Sequence, residues 1–404
     1  MMSRGNKTST GWPTVPLGDL VEPVERREVV KPDKIYDILG AHWYAKGLYI
    51  KATKPGSQIR AKYVYRVEKA DFVYNRLFAW KGSFAVATEE NSGCYVSNEF
   101  PCFVVDQEHL DSQYLWYYFS RATAWNEALG LSSGGTPTSR NRLKEARLLA
   151  MCIPLPPLEE QRRIVARIEE LAAKVEAARA LRQQATEGAE ALGGGILAKA
   201  YDEAAEIAGG TERLDDLCRQ ITDGTHSTPT YVMSGVPFLS VKDITTGDIR
   251  FDDARFITPE EHEVLRRRCK PEFGDVLLTK VGTTGFAKAI DVHREFSIFV
   301  SLALLKLDGE RLTPEFTEYM LNSPRLREYS RSGTRGVGNK NLVLKFIREF
   351  PMPAPPLEEQ HRIVAYLDAL LAKVDAVKAH QAATAAALDA LLPSILDQAF
   401  KGEL

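Results

Sequence analysis

Pro154-Leu-Pro-Pro-Leu-Glu-Glu-Gln161 returns as Pro353-Ala-Pro-Pro-Leu-Glu-Glu-Gln360, 199 residues further on, and each copy runs into a long segment of periodic apolar residues. The same displacement aligns Arg163 with Arg362, Ile164 with Ile363, Lys174 with Lys373, Val175 with Val374 and Ile196 with Ile395. A register held without a gap over more than forty positions marks duplication rather than chance. The 404-residue chain is therefore read as two copies of one unit, and a duplicated unit suits a partner or ligand that itself has two-fold character.

The prolines predict where each helix begins. Pro156-Pro157 and Pro355-Pro356 cannot continue a strand ladder or a helix interior, but proline is tolerated in a first helical turn. Glu159-Glu160 and Glu358-Glu359 then sit where the helix dipole favours negative charge. Beyond them, steps of four and three alternate through Ile164, Ile168, Leu171, Val175, Ala178, Ala185, Ala189, Leu192 and Ile196. The copy reads Ile363, Leu367, Leu370, Val374, Val377, Thr384, Leu388, Leu391 and Ile395. This is a heptad seam of coiled-coil length. Gly193-Gly194-Gly195 and Leu392-Pro393-Ser394 fall at the same repeat position and predict a break or kink, so the first rod is expected to end near Leu192. If the halves are related by a pseudo-two-fold axis, the rods run antiparallel with a globule at either end. Their span would then be comparable to one or two turns of B-DNA, about 34 Å each. Two separate surface helices, each covering its own domain, are the alternative.

The expected fold class is α+β: two pseudo-two-fold-related globular domains separated by an antiparallel two-helix coiled coil. Boundaries fall at 1–153, 154–207, 208–352 and 353–404. Tyr44 to Val67 alternates apolar and polar residues, and Phe84 to Val105 clusters β-branched and aromatic ones. Pro237 to Val241, Asp275 to Thr279 and Phe296 to Leu307 are the strand candidates of the second globule, with helical patterns at Ser112 to Ala128 and Pro314 to Leu326.

Hydrophobic content of 44% with 26% charge is ordinary for a soluble globular chain. No apolar stretch of signal-peptide or membrane-spanning length is present, so a cytoplasmic location is expected. Five dispersed cysteines (Cys94, Cys102, Cys152, Cys218, Cys269) form no Cys-x-x-Cys pair and read as reduced, mostly buried thiols rather than a disulfide or zinc framework. The near-neutral total hides local asymmetry. Lys46, Lys51, Lys54, Arg60, Lys62, Arg66 and Lys69 stand against Glu68 alone, with Tyr49, Tyr63 and Tyr65 among them. Arg325, Arg327, Arg331, Arg335, Lys340, Lys345 and Arg348 stand against Glu328. Such stretches either track phosphates or form a solvated face balanced by acids elsewhere.

Catalytic signatures are missing from the sequence: no Gly-x-x-x-x-Gly-Lys-[Ser/Thr], no His-Glu-x-x-His, no Gly-x-Ser-x-Gly and no Asn-Pro-Pro-[Tyr/Phe]. An end-to-end duplication more often presents two binding faces than an active site.

The repeated Pro-x-Pro-Pro-Leu-Glu-Glu-Gln-[Arg/His]-Arg-Ile-Val-Ala element resembles the specificity subunits of Type I restriction-modification systems, over essentially the whole chain. The second globule adds Thr222-Asp-Gly-Thr-His226, Gly235-Val-Pro-Phe-Leu-Ser240 and Gly274-Asp-Val-Leu-Leu-Thr-Lys-Val-Gly-Thr-Thr-Gly285, similar to recurring signatures of that family. The first globule departs from them, with Ala70-Asp-Phe-Val-Tyr-Asn-Arg76 and Trp80-Lys-Gly-Ser83 instead. The resemblance implies two target recognition domains reading a bipartite double-stranded DNA site, with no catalysis and no cofactor in this chain. It further implies docking of two modification subunits, which bind S-adenosylmethionine and methylate adenine, and of motor-nuclease restriction subunits. A scaffold that recruits only proteins, or a self-sufficient enzyme, are the rival readings.

Base reading needs donors and acceptors carried on loops, while phosphate contact needs cations and backbone amides. Lys280, Thr283 and Thr284 lie on a glycine-flanked loop, which is either a contact loop or a plain hairpin turn with a solvated lysine. Thr225 and His226, with Thr222 and Asp223, form a second polar loop, for which an Asx-turn with a structural histidine is the alternative. The loops Ser133 to Arg142 and Ser332 to Asn341 align across the repeat, and Arg140, Asn141 and Arg142 on one, with Arg335, Asn339 and Lys340 on the other, either close on DNA or belong to helix-capping loops. Arg76 and Lys81 are the choices in the first globule, with Trp80 favoured as core. Gln161 and Gln360, with their glutamates, are expected to bond the rods to the adjoining globules. Arg167, Lys174, Arg179, Lys373 and Lys378 either meet the modification subunits or form a solvated face.

Overall fold

The structure, a computed structural model, describes residues 11–134, 141–245, 247–335 and 341–404. Both proline doublets end at a helix start: one long helix is Leu158–Ile207 and the other Leu357–Lys401, each with two glutamates in its first turn. Neither is broken where the sequence predicts a break. The three glycines lie inside the first helix and Pro393 inside the second. Packing supplies the reason at the glycines, for Gly193 is buried with Val374 and Leu371 beside it, and Gly194 faces Pro324. Such contact outweighs a propensity deficit of about 1 kcal/mol per glycine. Pro393 is exposed, which leaves water to satisfy the carbonyl it strips of a partner.

The chain divides into two compact units, residues 1–181 with 383–404, and residues 182–382. The boundary falls inside the long helices because each unit takes the start of one and the end of the other. In the first unit, an antiparallel four-stranded sheet orders Val21–Val24, Cys102–Val105, Phe72–Tyr74 and Phe84–Val86. A five-stranded sheet orders Arg27–Val29, Tyr63–Arg66, Tyr95–Val96, Ile35–Ala41 and Leu48–Pro55. Aromatic residues fill the core, with Phe84 and Phe119 ring centroids 4.5 Å apart. Onto it pack Ile164 and Ile168 from the start of the first long helix and Leu396, Ala399 and Phe400 from the end of the second.

The second unit repeats the device with its own sheets. Cys218–Asp223, Leu302–Leu307, Val276–Thr279 and Ala287–Ala289 form an antiparallel sheet; Arg255–Ile257, Val236–Leu239 and Ser297–Ile298 form a mixed one. Here Ala200, Tyr201 and Ala204 come from the end of the first long helix, and Ile363 and Leu367 from the start of the second. Both units are closed alike: Thr14–Pro16 pairs with Cys152–Pro154, and Glu212–Arg213 with Pro351–Met352, tying each unit's first strand to the segment entering its helix.

Within each unit the helical segments are antiparallel. Arg179 reaches Asp389 at 3.0 Å and Arg163 the Leu404 backbone oxygen at 3.2 Å in the first. Arg182 reaches Gln381 at 3.2 Å and Arg362 reaches Glu203 at 2.9 Å in the second. The heptad seam is tight at Ile164, Ile168, Val175, Ile363, Leu367 and Val374, all buried. It fails at Leu192, Val377 and Leu391, which are 59%, 45% and 45% exposed. Gly193 takes the buried place expected of Leu192, and the Arg182–Gln381 pair puts polar atoms where the heptads predict apolar ones. Among the described residues no helix is long and apolar enough to cross a membrane. Cys94, Cys102 and Cys269 are buried, Cys218 half-buried and Cys152 exposed.

Candidate nucleic-acid interface

Asp223 closes the strand Cys218–Asp223 and is 1% exposed. A carboxylate so deep must be paired. Lys280, just past Val276–Thr279, the strand next but one in the same sheet, places its ammonium 2.5 Å away with a side chain 5% exposed. Arg268 reaches the other carboxylate oxygen at 2.5 Å, and His226 lies 3.3 Å off. Burial works against the charged form of Asp223, but Lys280, His226 and Arg268 outweigh it and hold the carboxyl below its usual range. Gly224 is required here, because a methyl group would overlap the carbonyl oxygen of Ile298.

This network corrects the reading of Lys280, which is neither a solvated lysine nor a cation open to a phosphate: its ammonium is spent on Asp223. The outward donors of the cluster are His226 and Arg268, whose side chains are 64% and 56% exposed. Arg268 was missed by the sequence reading, although Arg266-Arg-Arg268 at the C-terminal end of the helix Pro259–Arg266 is a visible signal. Thr225 is half-buried, its hydroxyl accepting from the Ser227 amide at 3.2 Å.

Three stretches far apart in sequence converge at this place. The Thr284 hydroxyl lies 3.1 Å from that of Thr334, and the Leu342 amide donates to the Lys280 carbonyl at 2.7 Å. Thr283 is exposed on the same loop. Thr334–Arg335 pairs with Asn341–Leu342, so the backbone of Arg335 is placed, while its side chain, Asn339 and Lys340 lie outside the described residues.

In the first unit Arg76 and Arg142 lie on adjoining segments, and Lys81 ends the short helical turn Ala79–Lys81. The Arg76 carbonyl accepts from the Leu143 amide at 2.9 Å. Its guanidinium pairs with Glu145, and Arg142 chelates Glu99 through contacts of 2.7 and 2.8 Å. Burial disfavours the Glu145 charge, but Arg76 outweighs it and the carboxyl stays below its usual range. Both arginines would have to exchange a carboxylate for a phosphate. Asn141 is buried, and Arg140 lies outside the described residues. Trp80 is half-buried, its indole N–H donating to the Leu77 carbonyl at 3.1 Å. Lys81 instead rests 3.8 Å from the centroid of Trp43, a residue the sequence reading did not select.

The two basic stretches part company. Arg325 pairs with Asp202 at 2.8 Å, Arg348 donates to the Ile221 carbonyl at 3.1 Å and Arg327 lies over Phe286, so much of the second stretch holds the fold together. In the first stretch Lys46, Lys51 and Arg60 are exposed, with no carboxylate partner among the described residues.

Gln161 and Gln360 anchor each globule to its helix. The Gln161 amide donates to the carbonyls of His109 and Pro156 at 2.8 and 2.9 Å and accepts from the Asp111 amide at 2.8 Å. Gln360 does the same with Arg311, Pro355 and Thr313, at 2.8, 2.8 and 2.9 Å. Both are 0% exposed, so a repeated surface-like motif proves to be a repeated buried joint.

Residues 10–187 and again 211–384 match the family described as the Type I restriction modification DNA specificity domain. The chain belongs to that family. It carries two specificity domains, and among curated relatives it is 25% identical over 326 residues to the Type I restriction enzyme EcoKI specificity subunit of Escherichia coli K12, covering 75% of this chain and 68% of that one. It is 25% identical over 276 residues to the EcoBI specificity subunit of Escherichia coli, where the match covers 62% of this chain but only 58% of the relative. Of solved structures, the HsdS subunit from Thermoanaerobacter tengcongensis aligns over 100% of both chains at 26% identity with a TM-score of 0.62. A chain from a structure on complex assembly and conformational transition of the type I restriction-modification system aligns over 99% of this chain and 100% of that one, at 27% identity and a TM-score of 0.77.

Proposed function

We propose that this chain reads a bipartite double-stranded DNA target in the cytoplasm, one half-site per specificity domain, with the long helices setting the gap and no catalysis of its own. It docks two modification subunits, which bind S-adenosylmethionine and methylate adenine, and restriction subunits that act as motor and nuclease. The observation that carries this reading is the duplication itself: the specificity domain occurs twice, at 10–187 and 211–384. Two further features support it. Basic side chains that reach solvent stand beside polar loops in each unit, Lys81 in the first and His226 with Arg268 in the second. Exposed apolar residues on the long helices, Leu181, Leu192, Val377 and Leu391, suit partner subunits.

Methylome sequencing of cells expressing the complex is the test. The expected motif is two short blocks around a fixed gap; a single continuous block refutes bipartite reading. Exchanging residues 211–350 for another recognition domain should change one block only, and inserting four residues after Ala178 should change the gap or abolish assembly.

A further inference from the structure

The hairpin joining Ile35–Ala41 to Leu48–Pro55 carries an unusual tip. Tyr44 and Ala45 are both left-handed, with φ of 61° and 51°, a region that side chains other than glycine rarely adopt. Two consecutive residues persist there only where their surroundings impose it, and the surroundings are visible. The Tyr44 amide donates to the Lys81 carbonyl at 2.8 Å, the Ala45 amide to the Gly82 carbonyl at 2.6 Å, and the Trp116 indole N–H to the Ala45 carbonyl at 3.2 Å. Gly82 can hold this place because it has no side chain to meet Trp125. The tip is thus clamped to the rest of the unit.

The clamp displays Trp43, which is 43% exposed. The indole nitrogens of Trp80, Trp116 and Trp125 all donate to backbone carbonyls. No hydrogen bond occupies that of Trp43 among the described residues. Over its ring sits the Lys81 ammonium, 3.8 Å from the centroid, with no carboxylate partner among the described residues. Lys46 and Lys51, on the loop and the strand that follow, are also exposed. The site therefore combines an open donor, a flat apolar face and adjacent cations on a rigid tip. A groove of duplex DNA offers the complement: acceptor atoms and thymine methyl groups on base edges, beside phosphates.

We propose that Trp43 is a specificity-determining residue of the first domain, contacting a base edge in its half-site, while Lys81 both positions the ring and meets the neighbouring phosphate. The proposal rests on the DNA-reading function above and assigns to it a contact that neither repeat nor motif marks. Pure packing is the competing role, since the Trp43 ring also lies 5.7 Å from that of Phe78.

The test uses the full chain assembled with its modification subunits, comparing wild type, Trp43→Ala, Lys81→Gln and Lys81→Arg by methylome sequencing and duplex binding. Trp43→Ala should lose about ten-fold discrimination at one base position of one half-site, with the other half-site intact. Lys81→Gln should weaken binding evenly across sequences, and Lys81→Arg should restore it. An unchanged motif at full methylation in Trp43→Ala overturns the proposal while leaving DNA reading standing. A wild-type complex that does not bind duplex DNA overturns the function on which it rests. If Trp43→Ala does not fold, Trp43→Phe decides: the difference between its emission and that of wild type isolates Trp43, and that difference must change on adding cognate duplex but not scrambled duplex. An unchanged difference overturns the proposal.

Discussion

Replacing Asp223 by leucine removes the carboxylate from a buried cluster and leaves the Lys280 ammonium, on a side chain 5% exposed, without its counter-charge. Breaking a buried ion pair from one side costs about 3–5 kcal/mol. The pair with Arg268, whose side chain is 56% exposed, adds under about 1 kcal/mol because water screens it. A loss of about 4 kcal/mol corresponds to a urea midpoint lowered by about 2 M at a slope of about 2 kcal/mol/M. The probe must see the second unit, and all five tryptophans lie at or before Trp125. Hydrogen exchange of peptides spanning Val276–Thr279 and Leu302–Leu307, read by mass spectrometry against urea, meets that need. Adding Lys280→Met to Asp223→Leu removes both charges and should return stability to within about 1 kcal/mol of wild type. The pH dependence has a definite sign. Because the folded-state value of Asp223 is depressed, its contribution is present above the unfolded carboxylate value of about 3.9 and is lost as pH falls through the lower folded value. Asp223→Leu should flatten that acid limb. A single-variant loss below about 1 kcal/mol, or a double variant no more stable than the single one, would refute the reasoning.

Gln161→Leu strands the Asp111 amide and the carbonyls of His109 and Pro156; at about 1–3 kcal/mol per buried group left unpaired, it should lose at least about 2 kcal/mol, read by tryptophan fluorescence in urea. Gly224→Ala drives a methyl group into the Ile298 carbonyl and should cost about 1–3 kcal/mol in thermal melting. Gly195→Ala has the opposite sign: nothing lies within 4 Å of the added methyl inside the helix, so stability should rise by about 0.5–1 kcal/mol in urea denaturation. Duplex binding by the assembled complex should weaken steeply with salt, and a titration from 50 to 200 mM salt that leaves affinity unchanged would exclude phosphate contacts.

The repeat, the two helix starts and the α+β character of the units were legible because they rest on local chemistry. Proline prohibits helix interiors and strand ladders but suits a helix start, and apolar periodicity reports which face of an element is buried. Most strand candidates lie where strands form for the same reason. Tertiary structure decided what depends on distant partners. Gly193 continues a helix because Val374 and Leu371 cover it, and Leu192 leaves the seam that heptad spacing assigns to it. Lys280 turns inward because Asp223, 57 residues away in sequence, is buried and requires a counter-charge. Trp43 is open and clamped because Lys81, Gly82 and Trp116 meet its hairpin in space. Sequence by itself determined which elements form and that they form twice; only packing decided which charges are spent inside the fold and which are left to face a ligand, because desolvation and pairing depend on neighbours that no local pattern specifies.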